Sequence, residues 1–166
     1  YQLVDSSGSV GLYSSIKVDA SGKVHIAYED LTLGKMDLKY AVRSPAGYWW
    51  TEVVDSDGDV GQFASLDLDS SGNVHIAYLD FTNFDLKYAK QKMNCFGSFC
   101  TWTWTKEIAD ATGWGGFYAS LRVDSLGTVH IAHQDATGQD LRYAKKVSGG
   151  SWTKTSVDSA GDVGEY

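Results

Sequence analysis

The chain has 166 residues, of which 43% are hydrophobic and 21% charged, so it can bury the core of one domain. Its formal net charge of −7 argues against nucleic acid or an anionic membrane surface as a partner, because both are bound by basic faces. No apolar run is long enough to cross a bilayer, so we expect no membrane insertion.

One short segment occurs three times along the chain, at Val24–Tyr28, Val74–Tyr78 and Val129–His133. The copies are spaced by roughly 50 residues, a period typical of architectures in which each repeat is one supersecondary unit. We therefore expect a single repeat region over residues 1–166. Its repeats are placed at about 4–54, 55–109 and 110–157, with 158–166 beginning a further one.

Each repeat is predicted to form four short strands, because apolar and polar residues alternate between glycine-containing turns. In the first repeat the predicted strands are Tyr13–Asp19, Val24–Tyr28, Asp37–Ala41 and Trp49–Val54. In the second they are Phe63–Asp69, Val74–Tyr78, Asp85–Ala89 and Trp102–Ala109, and in the third Tyr118–Asp124, Val129–His133, Asp140–Ala144 and Trp152–Val157. No segment has a sustained helical period, so the predicted fold class is all-β.

Four-stranded antiparallel units of this length are typical of the blades of a β-propeller. The repeats resemble the aspartate-rich repeats of bacterial and archaeal secreted propellers, which read VDSSGNVHIAYYD, then DLKYA, then a tryptophan. They are more distantly similar to sialidase-type and NHL-type blades. The resemblance implies a propeller built from four-stranded blades, three of them in this chain. The tryptophans of the fourth strands, Trp49, Trp104 and Trp152, are expected to pack within their own blade.

Three blades do not close a ring, because propellers have roughly four to eight. The segments at the two ends also match, since Val4–Gly8 has the same pattern as Val157–Gly161. The chain is therefore expected to be either half of a six-bladed ring, completed by a second chain, or an excerpt of a longer array. Open blade faces would expose apolar sheet surface, so we predict self-association.

Cys95 and Cys100 lie in the predicted connection between the third and fourth strands of the second repeat, where that repeat is longer. Two cysteines around a short loop indicate a disulfide formed in an oxidising compartment, and no further zinc ligands are apparent nearby. The chain begins with Tyr1 rather than methionine, which is typical of a mature or excised product. We predict a disulfide between these cysteines and a secreted, extracellular location.

The loops that link the repeats are acidic, and one of them carries Asp55, Asp57 and Asp59 at alternate positions. Calcium-binding loops direct oxygen ligands with this spacing, although the distal glutamate of an EF-hand loop is missing. Calcium at these three residues is the one cofactor that the sequence suggests. The alternative is a turn stabilised by the first aspartate. That role is expected for the recurring residues Asp5, Asp55, Asp110 and Asp158.

In a propeller, the linking loops share a face with the loops that follow the second strands. That face is predicted to gather three aspartates with Trp114, which does not recur, and His133, which replaces a tyrosine of the other repeats. The aspartates are Asp30, Asp80 and Asp135. Carboxylates and aromatic rings together suit neutral sugars. We therefore predict a carbohydrate-binding, lectin-like module whose partner is a glycan or another cell-surface ligand. The alternative is a structural or adhesion segment of a larger surface protein.

The aromatic residues Tyr13, Phe63 and Tyr118 recur at the start of the first strands, so they are expected to pack between repeats. The recurring histidines are expected to be buried and to bond to the aspartates that end the preceding strands. These pairs are His25 with Asp19, His75 with Asp69, and His130 with Asp124.

An enzyme is a further alternative, because each repeat also carries a serine, at Ser15, Ser65 and Ser120. A hydrolase needs one such set beside an oxyanion hole, and the chain has no nucleophile-elbow motif. The resemblance to sialidase-type blades raises a glycan-cleaving enzyme in particular. Such enzymes hold the substrate carboxylate with three clustered arginines, whereas the arginines here are not expected to cluster: Arg43, Arg122 and Arg142. We predict that the protein is not an enzyme.

Overall fold

The computed structural model describes residues 1–96 and 99–165, without the side chains of Phe99 and Cys100. These residues contain strands and no helix, which confirms the all-β prediction, and accordingly none of them forms a helix that could span a membrane. The strands are β1 Val10–Val18, β2 Val24–Asp30, β3 Asp37–Arg43, β4 Trp49–Asp55, β5 Val60–Leu68, β6 Val74–Asp80, β7 Asp85–Phe96, β8 Phe99–Asp110, β9 Phe117–Val123, β10 Val129–Asp135, β11 Asp140–Lys146 and β12 Thr153–Asp158.

Each repeat forms one four-stranded antiparallel sheet in chain order: β1–β4, β5–β8 and β9–β12. The prediction of four strands per repeat is confirmed. The first strands of the first two sheets begin earlier than predicted, because β1 and β5 continue through a β-bulge at Tyr13 and Phe63. Both residues adopt a left-handed backbone, with φ of 47° and 52°, which alternation alone does not reveal.

The insertion around the cysteines is an extension of two strands rather than a loop. Strands β7 and β8 have 12 residues each, and their register pairs the backbone of Cys95 with that of Cys100. The prediction that both cysteines lie in the connection between the two strands is wrong, because the added residues continue the ladder of β7 and β8. The side chain of Cys100 lies outside the described residues, so the disulfide stays a prediction.

The hydrophobic core lies between consecutive sheets. One cluster joins Leu38 and Tyr40 of the first sheet to Leu66 and Ile76 of the second. The other joins the second sheet to the third in the same way. In each case the first strand of the later sheet lies against the preceding sheet: β5 contacts β1, β2 and β3, and β9 contacts β5 and β6. The burial of the apolar face of each sheet thus depends on the neighbouring sheet.

Recurring polar residues join the sheets as well. The hydroxyl of Ser15 accepts the backbone N–H of Leu66 in the next sheet at 3.0 Å, and Ser65 accepts that of Leu121 at 2.9 Å. The indole N–H of Trp104 donates to Glu52 of the preceding sheet at 3.0 Å.

The prediction that the fourth-strand tryptophans pack within their own repeat is wrong for Trp104 and Trp152. Their rings meet Tyr40 and Tyr88 of the preceding sheet edge to face, with centroids 5.4 and 5.2 Å apart. The reason is that the face carrying each tyrosine is covered by the following sheet, whose outer strand brings the tryptophan to it.

Gly61 marks the closest approach between the first two sheets. Its φ is +104°, and a Cβ atom there would lie 2.9 Å from the Cα of Leu38. We expect Gly61→Ala to lower the free energy of unfolding by about 2 kcal/mol or more, because backbone strain and a steric clash add together. Gly72→Ala is the matched control, since Gly72 also has a positive φ but no atom near its added methyl group. Denaturant unfolding of the two variants measures the difference, and equal losses would show that the approach to Leu38 is unimportant.

Candidate ligand-binding face

The linking loops and the loops after the second strands lie at one end of the sheets, here called the linking-loop face. Backbone hydrogen bonds join these loops in pairs: Leu31 N–H to Ser9, Phe81 N–H to Asp59, and Ala136 N–H to Trp114. The face therefore comprises residues 1–9, 31–36, 56–59, 81–84, 111–116 and 136–139. The predicted meeting of these loops is confirmed.

Beneath this face each sheet holds a buried acid–base cluster. In the second sheet the fully buried carboxylate of Asp55 lies 2.6 Å from Lys87 Nζ and 2.7 Å from Lys106 Nζ, and it accepts the Tyr78 hydroxyl at 2.8 Å. Lys87 also lies 3.6 Å from Asp80. Burial raises the pKa of Asp55, but the hydrogen bonds from the two lysines and Tyr78 outweigh it and hold the pKa below its usual value.

The same cluster recurs in the other sheets with different residues. In the first sheet, Lys39 bonds to Asp5 and lies 3.7 Å from Asp30. In the third sheet, Arg142 lies 3.1 Å from Asp110 and 3.3 Å from Asp135. Asp5, the linking-loop acid of the first cluster, lies in the segment before β1. Its counterparts Asp55 and Asp110 are the last residues of β4 and β8, the final strands of the preceding sheets.

The predicted turn role of these linking-loop aspartates is confirmed. Each accepts the backbone N–H two residues ahead. The pairs are Asp5 with Ser7, Asp55 with Asp57, Asp110 with Thr112, and Asp158 with Ala160.

The structure places four of the predicted ligand residues below the surface. Asp30, Asp80 and Asp135 are buried, each close to its basic partner and accepting turn N–H groups. His133 is buried as well, where its Nδ1 accepts the Gly116 N–H at 3.1 Å and its Nε2 lies 3.5 Å from Asp110. These residues hold the loops in place, and direct contact with a ligand stays a prediction.

The three candidate calcium ligands do not converge. Asp55 is buried among lysines, Asp57 is exposed, and Asp59 accepts a hydrogen bond from Gln62. Among the described residues, no three histidine, cysteine, aspartate or glutamate side chains are placed to hold a metal ion. The geometry gives the calcium prediction no support.

Trp114 is the predicted ligand residue that reaches the surface, where 52% of it is exposed. Its ring stacks on Phe84, with centroids 4.6 Å apart and planes 16° apart, and Phe84 in turn contacts Phe81. The backbone N–H of Trp114 donates to Asp135 and to Thr137. The aromatic platform, defined as Phe81, Phe84 and Trp114, is therefore a presented surface whose backbone is fixed from below.

A second aromatic row lies where the first strands of the sheets meet. The ring of Phe63 is 4.5 Å from Tyr13 and 4.8 Å from Tyr118, centroid to centroid, so the predicted packing between repeats is confirmed. All three residues have positive φ. This row of rings thus crosses from sheet to sheet and packs the three sheets against one another.

Two of the recurring histidines, His25 and His75, are buried in hydrogen-bond networks, as predicted. The predicted burial is wrong for His130, which is only partly buried because no further sheet covers the third one. His75 lies 3.3 Å from Asp69 through Nε2, as predicted, and its Nδ1 lies 2.6 Å from the Tyr88 hydroxyl. Burial lowers the pKa of His75, although Asp69 opposes this shift. The sequence reasoning missed the tyrosine partner, although it recurs with the histidine in all three repeats: Tyr40, Tyr88 and Tyr143.

A cleft of about 290 Å³ between the second and third sheets also escaped the sequence reasoning. It is lined by Lys90, Glu107 and Lys146 together with the β11–β12 connection, at the end opposite the linking-loop face. Lys146 bonds to Glu107, so the charges of this pair offset each other. The cleft is therefore polar, and two of its charged side chains are already paired with each other.

Glu29 is the most unusual buried group. It is 0% exposed, and neither carboxylate oxygen has a hydrogen-bond partner among the described residues. Burial, with a smaller contribution from Asp59, raises its pKa to about 7. The equivalent positions in the other two sheets are Leu79 and Gln134. The leucine in the second repeat is the feature of the sequence that indicates an inward-facing side chain at this position, and Leu79 is indeed buried.

Comparison with known proteins gives a likeness of fold. A solved structure of a fucose lectin from Kordia zhangzhouensis, in complex with methyl-fucoside, superposes with a TM-score of 0.53 at 17% identity. The match covers 89% of this chain and 99% of the lectin chain. No protein-family model and no curated protein sequence matches the chain. The chain therefore shares its fold with a lectin.

Proposed function

We propose that this chain is a non-catalytic carbohydrate-binding module, built as part of a β-propeller, that binds its sugar on the linking-loop face. Each sheet would be one blade. The packing of each first strand against the preceding sheet supports this arrangement. The likeness of fold to the fucose lectin supports a carbohydrate ligand. Secretion, with a glycan partner outside the cell, belongs to the same proposal.

The observation that carries the proposal is the aromatic platform. Aromatic rings bind sugars by stacking on their apolar C–H faces, and a fixed ring loses little conformational entropy when it does so. Trp114 meets this need because its ring rests on Phe84 and its backbone is bonded to Asp135 and Thr137. The buried aspartate thus contributes by positioning the tryptophan.

The contacts of the repeated serines and histidines support a non-catalytic role. The hydroxyls of Ser15 and Ser65 accept backbone N–H groups of the next sheet. The histidines of these sheets contact tyrosine and aspartate: His25 contacts Tyr40 and Asp19, and His75 contacts Tyr88 and Asp69. A serine nucleophile would need to bond to its histidine, so these contacts describe a structural network.

The experiment is a binding titration with a glycan panel that includes methyl-fucoside, with and without a calcium chelator. We expect binding to a subset of glycans, and Trp114→Ala to weaken it about tenfold, the effect of losing roughly 1.4 kcal/mol of stacking. Trp50→Ala is the matched control because Trp50 is also exposed but lies on β4, away from the platform. Chelation should change nothing, since the candidate calcium ligands do not converge.

A structural or adhesion role is the second candidate, favoured by the engagement of Asp30, Asp80 and Asp135 within the protein. It predicts that no glycan binds, although the protein is folded. Equal affinities of the Trp114→Ala and Trp50→Ala variants would instead contradict the assignment of the platform while leaving sugar binding elsewhere, for example in the polar cleft.

A further inference from the structure

We infer that the two open faces of this chain are the two halves of one interface, and that a second copy of the chain binds there head to tail. This inference does not depend on the ligand. The structure already contains the interface twice, between the first and second sheets and between the second and third. Two sheet faces remain without a neighbour. The face of the first sheet that no preceding sheet covers is here called the incoming face, and the face of the third sheet that no following sheet covers is called the outgoing face.

The incoming face is apolar where its counterparts are covered. Ile16 of β1 is 61% exposed, whereas its equivalents Leu66 and Leu121 are 1% and 0% exposed. Val18 is exposed as well. Gly11, the counterpart of Gly61, would have no atom within 4 Å of an added methyl group, whereas Gly61 meets Leu38. The first sheet thus carries the residues of a sheet interface without its partner.

The outgoing face shows the complementary pattern. Val157 of β12 is 60% exposed, whereas the equivalent residues Val54 and Ala109 are buried. Ala132 is exposed in the third sheet, although its counterparts in the first two sheets are fully buried. Because Ala132 and Val157 correspond to residues that a following sheet covers, they define the surface that a first sheet would cover.

Polar groups on the two faces match in the same way. Ser15 and Ser65 accept the N–H of the leucine in the next sheet, and the third copy of this serine, Ser120, is exposed. In the assembly Ser120 would accept the N–H of Ile16 from the second copy. Trp49 Nε1 is buried without a hydrogen-bond partner among the described residues.

The place of that partner can be read from the other sheets. The equivalent indole of Trp104 donates to Glu52, which pairs with Tyr40 across β3 and β4. The residue in the same register of the third sheet is Thr155, which pairs with Tyr143 and is exposed. The second copy therefore supplies a hydroxyl where Trp49 needs an acceptor.

One segment must move when the copies join. Residues 157–164 repeat the positions of 4–11, and Val163 N–H already donates to Gln139 as Val60 N–H donates to Met36. Only one of the two segments fits at a joint. Residues 4–9 of the second copy are the ones that move, because they precede β1, whereas Val157 is part of β12 and stays in place. We therefore expect association to depend on concentration, because displacing a segment offsets part of the gain from burying the two faces.

The test is sedimentation velocity over a wide concentration range, with two surface variants. Ile16→Arg/Val18→Arg blocks the incoming face, and Ala132→Arg/Val157→Arg blocks the outgoing face. All four residues are exposed, so the variants should fold. We expect the unmodified chain to reach the mass of two chains and each variant alone to stay a single chain. Leu33→Arg, in an exposed loop, is the control that should associate normally.

Mixing the two variants gives the decisive result. Each retains the half that the other lacks, so the mixture should form a one-to-one complex. Three results would overturn the inference: a single-chain mass for the folded unmodified protein at all concentrations, continued self-association of either variant alone, or no complex in the mixture. Circular dichroism of each variant establishes that it is folded.

Discussion

Lys87→Met should cost about 3 kcal/mol of unfolding free energy and lower the thermal midpoint by several degrees, because removing one partner of a buried ion pair leaves the remaining charge uncompensated. Lys87 contacts the fully buried Asp55 and lies near Asp80, so its loss leaves two buried carboxylates without their shared cation. Lys106 stays on the other oxygen of Asp55, which limits the loss.

Two variants separate this electrostatic effect from lost packing. Lys87→Arg should lie within about 1 kcal/mol of the natural chain, because Arg142 occupies the equivalent position against Asp110 and Asp135. Lys106→Met should cost less than about 1 kcal/mol, since Lys106 is more exposed than Lys87. Urea unfolding at neutral pH measures all three. Equal losses for the methionine and arginine variants at position 87 would contradict the electrostatic explanation.

Glu29→Gln should stabilise the protein at neutral and alkaline pH. The pKa of Glu29 rises from 4.5 to about 7 on folding, because burial disfavours the charged carboxylate. Well below pH 4.5 the group is neutral in both states and its ionisation costs nothing. As the pH rises from 4.5 through 7, the unfolded state releases its proton first, and stability falls. At about pH 8 the full penalty amounts to about 3 kcal/mol.

The measurement is the difference in unfolding free energy between Glu29→Gln and the natural chain from about pH 4 to about pH 8. Taking a difference cancels the carboxylates whose pKa is lowered, which titrate alike in both proteins. We expect the difference to grow by about 3 kcal/mol across this range.

The reciprocal change, Gln134→Glu, is the control for this titration. The side chain of Gln134 donates to Asp162 and to the Val163 carbonyl. A carboxylate at position 134 should therefore lower the free energy of unfolding. Relative to the natural chain, this loss should grow as the pH rises, whereas Glu29→Gln should gain stability as the pH rises. Parallel pH profiles for Glu29→Gln and the natural chain would show that Glu29 is not a buried titrating group.

The strands could be predicted from the sequence because each repeat carries the same pattern independently. The three copies agree on Val24–Tyr28 and its equivalents, so an irregularity in one copy does not mislead. The pairing of His75 with Asp69 could also be predicted, since a tight turn brings the ends of two adjacent strands together. Local geometry determines both features.

Contacts between sheets are harder to predict, since alternation tells which side a residue faces but not which residue faces it. The sequence therefore assigns Trp104 to its own sheet, although its partners Glu52 and Tyr40 lie in the preceding one. The aspartates predicted to face a ligand are buried for a related reason. The lysine or arginine that engages them lies on the next strand, and its direction follows from the register.

Sugar binding at the aromatic platform is tested most directly by titrating the natural chain with methyl-fucoside and related glycosides while recording indole N–H signals by NMR. If the platform binds sugar, one glycoside of the panel shifts the Trp114 indole signal in a saturable way and leaves that of Trp50 unchanged. Saturable binding without movement of the Trp114 signal, or no binding by the folded protein, would contradict the proposal.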